Sequence, residues 1–147
     1  MEKCNKIAEL YVATLKAMAQ IHQFSHHTTS GKDFYGDHLL FERLYNSALE
    51  DLDLAAEKFM GLFEGNFLNY DLQVDLLHKV LLKYKNLDGS PAEMSLAIEK
   101  DFIKFSVEVY KSFEAEGRLT LGLDDMLAAI ASKREESVYL LQQAIRD

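Results

Sequence analysis

The sequence is expected to fold as an all-α bundle of four long helices, with a short crossover helix between the second and third. Three observations predict this. Apolar residues recur at three-and-four spacing over four long stretches. Pro occurs only once in 147 residues, so little interrupts a helix. The segment from Glu64 to Gly89 is too long for a tight turn between antiparallel helices, so it must cross the bundle. With 48% hydrophobic and 27% charged residues, the chain suffices for one domain, residues 1–147, with a core that needs no staples.

The first helix, Lys3 to about His27, carries Ile7, Leu10, Tyr11, Leu15, Met18 and Ile21 on one face and delivers His22 and His26 near its C-terminal end. Thr28, Thr29, Ser30 and Gly31 end it, with Gly31 free to turn left-handed. The second runs from about Tyr35 to Phe63 on Leu40, Phe41, Leu44, Tyr45, Ala48, Leu52, Ala55, Phe59 and Leu62, and Gly61 and Gly65 mark its end. Leu72, Leu76, Leu77, Val80, Leu81 and Tyr84 place the crossover helix at about Tyr70 to Tyr84, ended by Asn86, Leu87, Asp88 and Gly89. Ser90-Pro91-Ala92-Glu93 is a capping box with Pro at the first helical position, and the third long helix runs from there to about Glu116 on Met94, Ile98, Phe102, Phe105, Val109 and Phe113. Gly117 stops it. The fourth begins at Thr120 or Leu123 and ends near Ile145, with Leu127, Ile130, Ala131, Val138, Leu141 and Ile145 inward. Four helices with one long crossover have ferritin-like connectivity.

Charge and cysteine content narrow the function. Against 16 Lys and Arg stand 24 Asp and Glu, a net charge of −8, with no basic cluster at either end, which disfavours DNA binding. No apolar run approaches the ~20 residues needed to span a bilayer. The first residues, Met-Glu-Lys-Cys, lack a signal-peptide core, so the expected location is the cytoplasm and no membrane partner is expected. The lone Cys4 suits a reducing compartment and reads as a half-buried small hydrophobe.

Four of the five histidines lie between His22 and His38, beside carboxylates at helical spacing. With His38 at 0° and ~100° per residue, Glu42 falls near ~40°, Asp53 near ~60° and Glu57 near ~100°, one stripe beside the apolar face. An imidazole with three carboxylates suits iron or manganese, and no thiolate is offered to favour copper(I) or structural zinc; iron is expected. The step from Glu42 to Asp53 spans ~16 Å of helix, so one straight helix cannot wrap all four around one metal. Two copies paired antiparallel about a two-fold axis would bring His38 and Glu42 of one to Asp53 and Glu57 of the other, making two sites per interface, with His26 joining from the first helix. His22 reads as an outer partner of the ligands or as packing. His27 points ~100° away from His26. His78, three residues after Asp75, reads as structural or surface.

The spacing His26-x11-His38-x3-Glu42-x10-Asp53-x3-Glu57, with Gly31 and Phe34 between the first two, resembles the ferroxidase pattern of the Dps family of mini-ferritins. The resemblance covers the whole chain. It implies that His26, His38 and Glu42 come from one subunit and Asp53 and Glu57 from its two-fold mate. It further implies a hollow homododecamer that oxidises iron(II), preferentially with hydrogen peroxide, stores iron(III) as a mineral and so protects against oxidative stress. Three departures stand out. Glu42 occupies a position that is usually Asp. His27 stands where Trp is common, which would leave any aromatic relay to Tyr35 or Tyr45. The Lys-rich tail of DNA-condensing members is not seen, since helix begins almost at once. Glu50 is a candidate mineral-nucleating residue, near ~120° on the same wheel. Asp124 and Asp125 either line a three-fold iron-entry pore or balance a helix dipole. A 24-subunit ferritin is the alternative, but its Glu-x-x-His motif does not occur in the sequence; the other alternative, a DNA-binding nucleoid protein, conflicts with the charge.

Overall fold

The computed structural model describes residues 2–63, 68–85 and 87–146, and all regular structure among them is helical. The elements are α1 (Glu2–Thr28), α2 (Phe34–Leu62), α3 (Tyr70–Lys85), α4 (Pro91–Ala115) and α5 (Leu121–Ile145). α1 packs against α2 and α4, and α5 against α4 and α2, so the long helices close a ring in the order α1, α2, α5, α4. α3 crosses the outside, mainly against α1. This is the expected bundle with its crossover helix, each boundary within about two residues of expectation. Gly65 and Asn86, expected to help end α2 and α3, lie outside the described residues.

Local chemistry fixes the ends. α1 stops where Gly31 takes φ 98°, a left-handed value that favours glycine. Ser90 and Glu93 form the full capping box at α4: the Glu93 amide donates to the Ser90 hydroxyl, and the Ser90 amide to the Glu93 carboxylate. α4 closes in a Schellman motif around Gly117 (φ 67°), with the Arg118 amide donating to the Phe113 carbonyl at 2.9 Å and the Gly117 amide to the Glu114 carbonyl at 3.0 Å. Thr120 caps α5 by accepting from the Leu123 amide.

One end of the core is an aromatic cluster. Tyr11 meets Phe59 edge-on at 5.7 Å, Phe63 stacks on Phe59, and Phe113 packs against it at a 45° tilt. Each ring is fully or almost fully buried, and truncating one such Phe to Ala costs ~3–5 kcal/mol. Two expectations need correction. Cys4 is completely buried rather than half-buried, because the first turn of α1 already packs into the main core. α3 sits shallower than its periodicity suggests: Leu72 is exposed, while Gln73 is buried, donating to the Glu9 carboxylate at 2.6 Å and the Glu9 carbonyl at 2.9 Å. The crossover is pinned to α1 by this polar clamp, since its leucines rest on the bundle surface. Ser90→Ala removes the cap of α4 and should lower stability by ~1 kcal/mol, measured as an earlier urea midpoint with an unchanged slope.

Candidate metal centre

His26 and His38 hold each other in place. α1 ends at Thr28, so carbonyls of its last turn lack partners within the helix. His38 Nδ1 donates to one of these, the His26 carbonyl, at 2.9 Å, and His26 Nδ1 donates to the His38 carbonyl at 2.7 Å. A carbonyl oxygen only accepts, so each ring must carry its proton on Nδ1. Each ring is left one lone pair, on Nε2. The rings stack with centroids 3.7 Å apart and 18° from parallel. Phe34 stacks on His38 at 5.0 Å, and Tyr45 meets His26 edge-on at 5.4 Å. Backbone carbonyls that orient imidazoles in this way are what metal-ligating histidines require.

The carboxylates divide into two groups. Glu42 lies one turn beyond His38 and is half-buried, while Asp53 and Glu57 are exposed further along α2. From His38 to Asp53 is ~22 Å of helix. Among the described residues no three His, Cys, Asp or Glu side chains of one chain gather closely enough to hold a metal ion. The single chain therefore brings His26 to His38, sets Glu42 on the adjoining turn, and leaves Asp53 and Glu57 at a distance on the same helix.

The remaining candidates are placed as follows. His22 is completely buried with both nitrogens engaged, Nδ1 with the Ser95 hydroxyl and Nε2 with Glu99 Oε1, each at 2.9 Å; it packs in the core and offers no free lone pair. His27 is exposed, its ring 5.5 Å from that of His26. Asp75 and His78 are on the surface. Glu50 is exposed and lies 3.9 Å from Lys133. Tyr35 is 74% exposed, so of the two tyrosines only Tyr45 touches the histidine pair. Asp125 is exposed, and Asp124 accepts from the Tyr110 hydroxyl at 3.1 Å.

Sequence reasoning did not anticipate a second cluster, inside the bundle. Asp51, Glu99 and Arg134 are fully buried with His22. The signal was present. Asp51 lies three residues after Ala48 and four before Ala55, and Arg134 four after Ile130, so both are ionisable residues at core register.

Two measurements check this geometry. Nitrogen NMR of imidazole-labelled, metal-free protein should show His26 and His38 both in the Nδ1-protonated tautomer; Nε2 protonation of either would remove the carbonyl clamp. The hydrogen bond to Asp124, and then its charge, raise the Tyr110 phenol above the ordinary tyrosine range. The folded state thus keeps this proton longer than the unfolded chain does. The contribution to stability is present below the ordinary tyrosine range and is lost as pH climbs through the raised folded value. Asp124→Asn should bring one tyrosinate absorbance step to lower pH.

Comparison with known proteins adds a fold-level result. No family model matches the sequence, and no curated protein does. Among solved structures, the X-ray structure of Dps from Thermosynechococcus elongatus superposes with a TM-score of 0.82 at 16% identity, over 99% of this chain and 92% of that one. An archaeal Dps homologue from Halobacterium salinarum gives a TM-score of 0.79 at 17% identity, over 99% of this chain and 81% of that one. Across nearly its whole length, the chain has the fold of the Dps proteins.

Proposed function

We propose that the protein is a Dps-type ferroxidase and iron store. Two copies pair about a two-fold axis so that His26, His38 and Glu42 of one face Asp53 and Glu57 of the other. Six such pairs make a hollow dodecamer in the cytoplasm. The observation that carries this reading is the reciprocal clamp, which leaves an imidazole lone pair on each of two stacked rings at one end of a helix whose exposed carboxylates lie ~22 Å away. A donor set cut in two along one rigid element is completed by a second copy running the other way.

The chemistry follows from the residue types. Carboxylates are ionised at neutral pH and neutral imidazoles offer nitrogen, so iron(II) is bound without a ligand having to lose a proton. Iron(II) is the substrate here. Two iron(II) ions supply the two electrons that, with two protons, reduce hydrogen peroxide to two waters, so the O–O bond breaks without releasing a hydroxyl radical. Oxidised iron then passes to the cavity, where carboxylates such as Glu50 are placed to nucleate mineral. Asp124 and Asp125, near the start of α5, are suited to draw cations toward a pore. Protection from oxidative stress arises from consuming iron and peroxide together. DNA coating is disfavoured by the net charge of −8 per chain. A 24-subunit ferritin would need the missing Glu-x-x-His ligands inside one bundle.

Subunit mixing tests the divided site. His38→Ala and Asp53→Ala should each abolish peroxide-dependent iron(III) formation while leaving the particle assembled. Dissociated and reassembled together, the two variants should recover about a quarter of wild-type activity, because random pairing makes half of the dimers mixed and each mixed dimer keeps one intact site of its two. No recovery from a reassembled mixture, or a protein that stays monomeric and oxidises iron no faster than buffer, would overturn the reading.

A further inference from the structure

The outward stripe of α2 carries more than carboxylates. On the wheel that sets His38 at 0°, the candidate donors occupy the sector from ~0° to ~100°. Large apolar side chains share it: Tyr35 at ~60°, Leu39 at ~100°, Leu49 at ~20° and Met60 at ~40°. All four are exposed. Of the other exposed large apolar residues on α2, Phe34 stacks on His38, and Leu54, at ~160°, lies off the stripe. The solvent face of an amphipathic helix is polar, and apolar residues gathered in one outward sector among polar ones mark a contact surface.

The kinds of residue along the stripe follow the same order from either end. Tyr35 and Met60, both apolar, stand equally far from the point between Ser47 and Ala48. Further in come His38 and Glu57, both donors, and Leu39 and Ala56, both apolar. Then come Glu42 and Asp53, both carboxylates, and last Asn46 and Leu49, which flank the centre. Every one of these pairs has the same midpoint. A palindrome of residue types is what an isologous contact requires, since a two-fold axis that brings residue i of one copy to residue j of the other also brings j to i. A partner of different sequence imposes no such symmetry.

Resting on the pairing proposed above, we infer that the α2 stripe is a self-complementary docking face for a second copy of the chain, with the two-fold axis between Ser47 and Ala48 and Tyr35 of each copy seated on Met60 of the other. Two α2 helices packed antiparallel at a shallow ~20° crossing keep such distant ends in contact. An aromatic ring accepts a thioether readily, and Leu39 meets the smaller, half-buried Ala56. Leu49 lies beside the axis. These apolar contacts supply the attraction and hold the register, because Glu42 opposite Asp53 repels until a cation stands between them. Tyr35 and Met60 lie beyond His38 and Glu57 and so cap the outer end of each divided site. They act as positioning residues and donate nothing to the metal.

Cross-linking tests the register. In a Cys4→Ala background, Tyr35→Cys and Met60→Cys are combined and the protein is treated with a short bis-maleimide. The two cysteines of one chain stand ~37 Å apart along α2, so a bridge can only join two chains. The double variant should run as a covalent dimer under denaturing conditions, and either cysteine alone should not. A charge pair gives an independent readout. Met60→Glu should raise the concentration at which the particle falls apart on dilution by ~10-fold or more. Adding Tyr35→Lys should reverse this, whereas adding Leu54→Lys, exposed on the same helix but off the stripe, should not. An assembled protein whose paired cysteines do not bridge overturns the proposal, as does a Met60→Glu variant that Leu54→Lys repairs as well as Tyr35→Lys does. Mixing His38→Ala with Asp53→Ala reads the divided site separately: recovered iron oxidation without a bridge keeps that reading and sinks this register. A chain that stays monomeric overturns both.

Discussion

A buried charge must be met by other polar groups, and in this bundle Arg134 is met from every other long helix. Through Met18, Ser47, Asp51 and Glu99 one guanidinium ties α5 to α1, α2 and α4. Arg134 and Met18 lie on α5 and α1, which face each other across the ring without direct helix packing. Apolar contacts tolerate small slides and rotations because they have no direction. A set of polar contacts does not, since a one-residue slip of any helix would strand a charge in the core. The rotation of α2 that keeps Asp51 inward is the same rotation that presents Asp53 and Glu57 to solvent. The polar centre thus fixes which stripe of α2 is available outside.

The second constraint is the rigidity of α2. It is helical without interruption from Phe34 to Leu62, and neither Gly36 nor Gly61 has a positive φ. Such a rod cannot fold its two donor groups together. The hairpin with α1 supplies His26 to the near end only, since α1 and α2 run in opposite directions and the C-terminal end of α1 meets the start of α2.

The sequence made much of this legible. Long periodic stretches, the Ser90–Glu93 box and Gly31 and Gly117 place every long helix, because each signal acts within a turn or two of itself. The pattern of candidate donors was readable for the same reason, since it runs along one helix. What escaped were facts of depth and of long-range partnership. Cys4 looked peripheral because it is near the start of the chain, yet that turn packs into the main core. Gln73 is buried on α3 through Glu9, a partner more than sixty positions away that no local pattern announces. His22 sat among candidate ligands by proximity, but its partners are Ser95 and Glu99 on α4. Arg134 was hidden by the habit of reading apolar stripes for what they contain rather than for what interrupts them.

The bond from His38 Nδ1 to the His26 carbonyl does two jobs. It satisfies the frayed end of α1 and orients an imidazole. Only twelve positions separate the two residues, so this half of the proposed metal site is a short-range product of a two-helix hairpin, insulated from events in α4 and α5. Substitutions that loosen the distant pair of helices should therefore leave the imidazoles oriented. Ligand geometry and bundle packing can drift independently in evolution, and the hairpin could be moved to another scaffold with its histidines already in position.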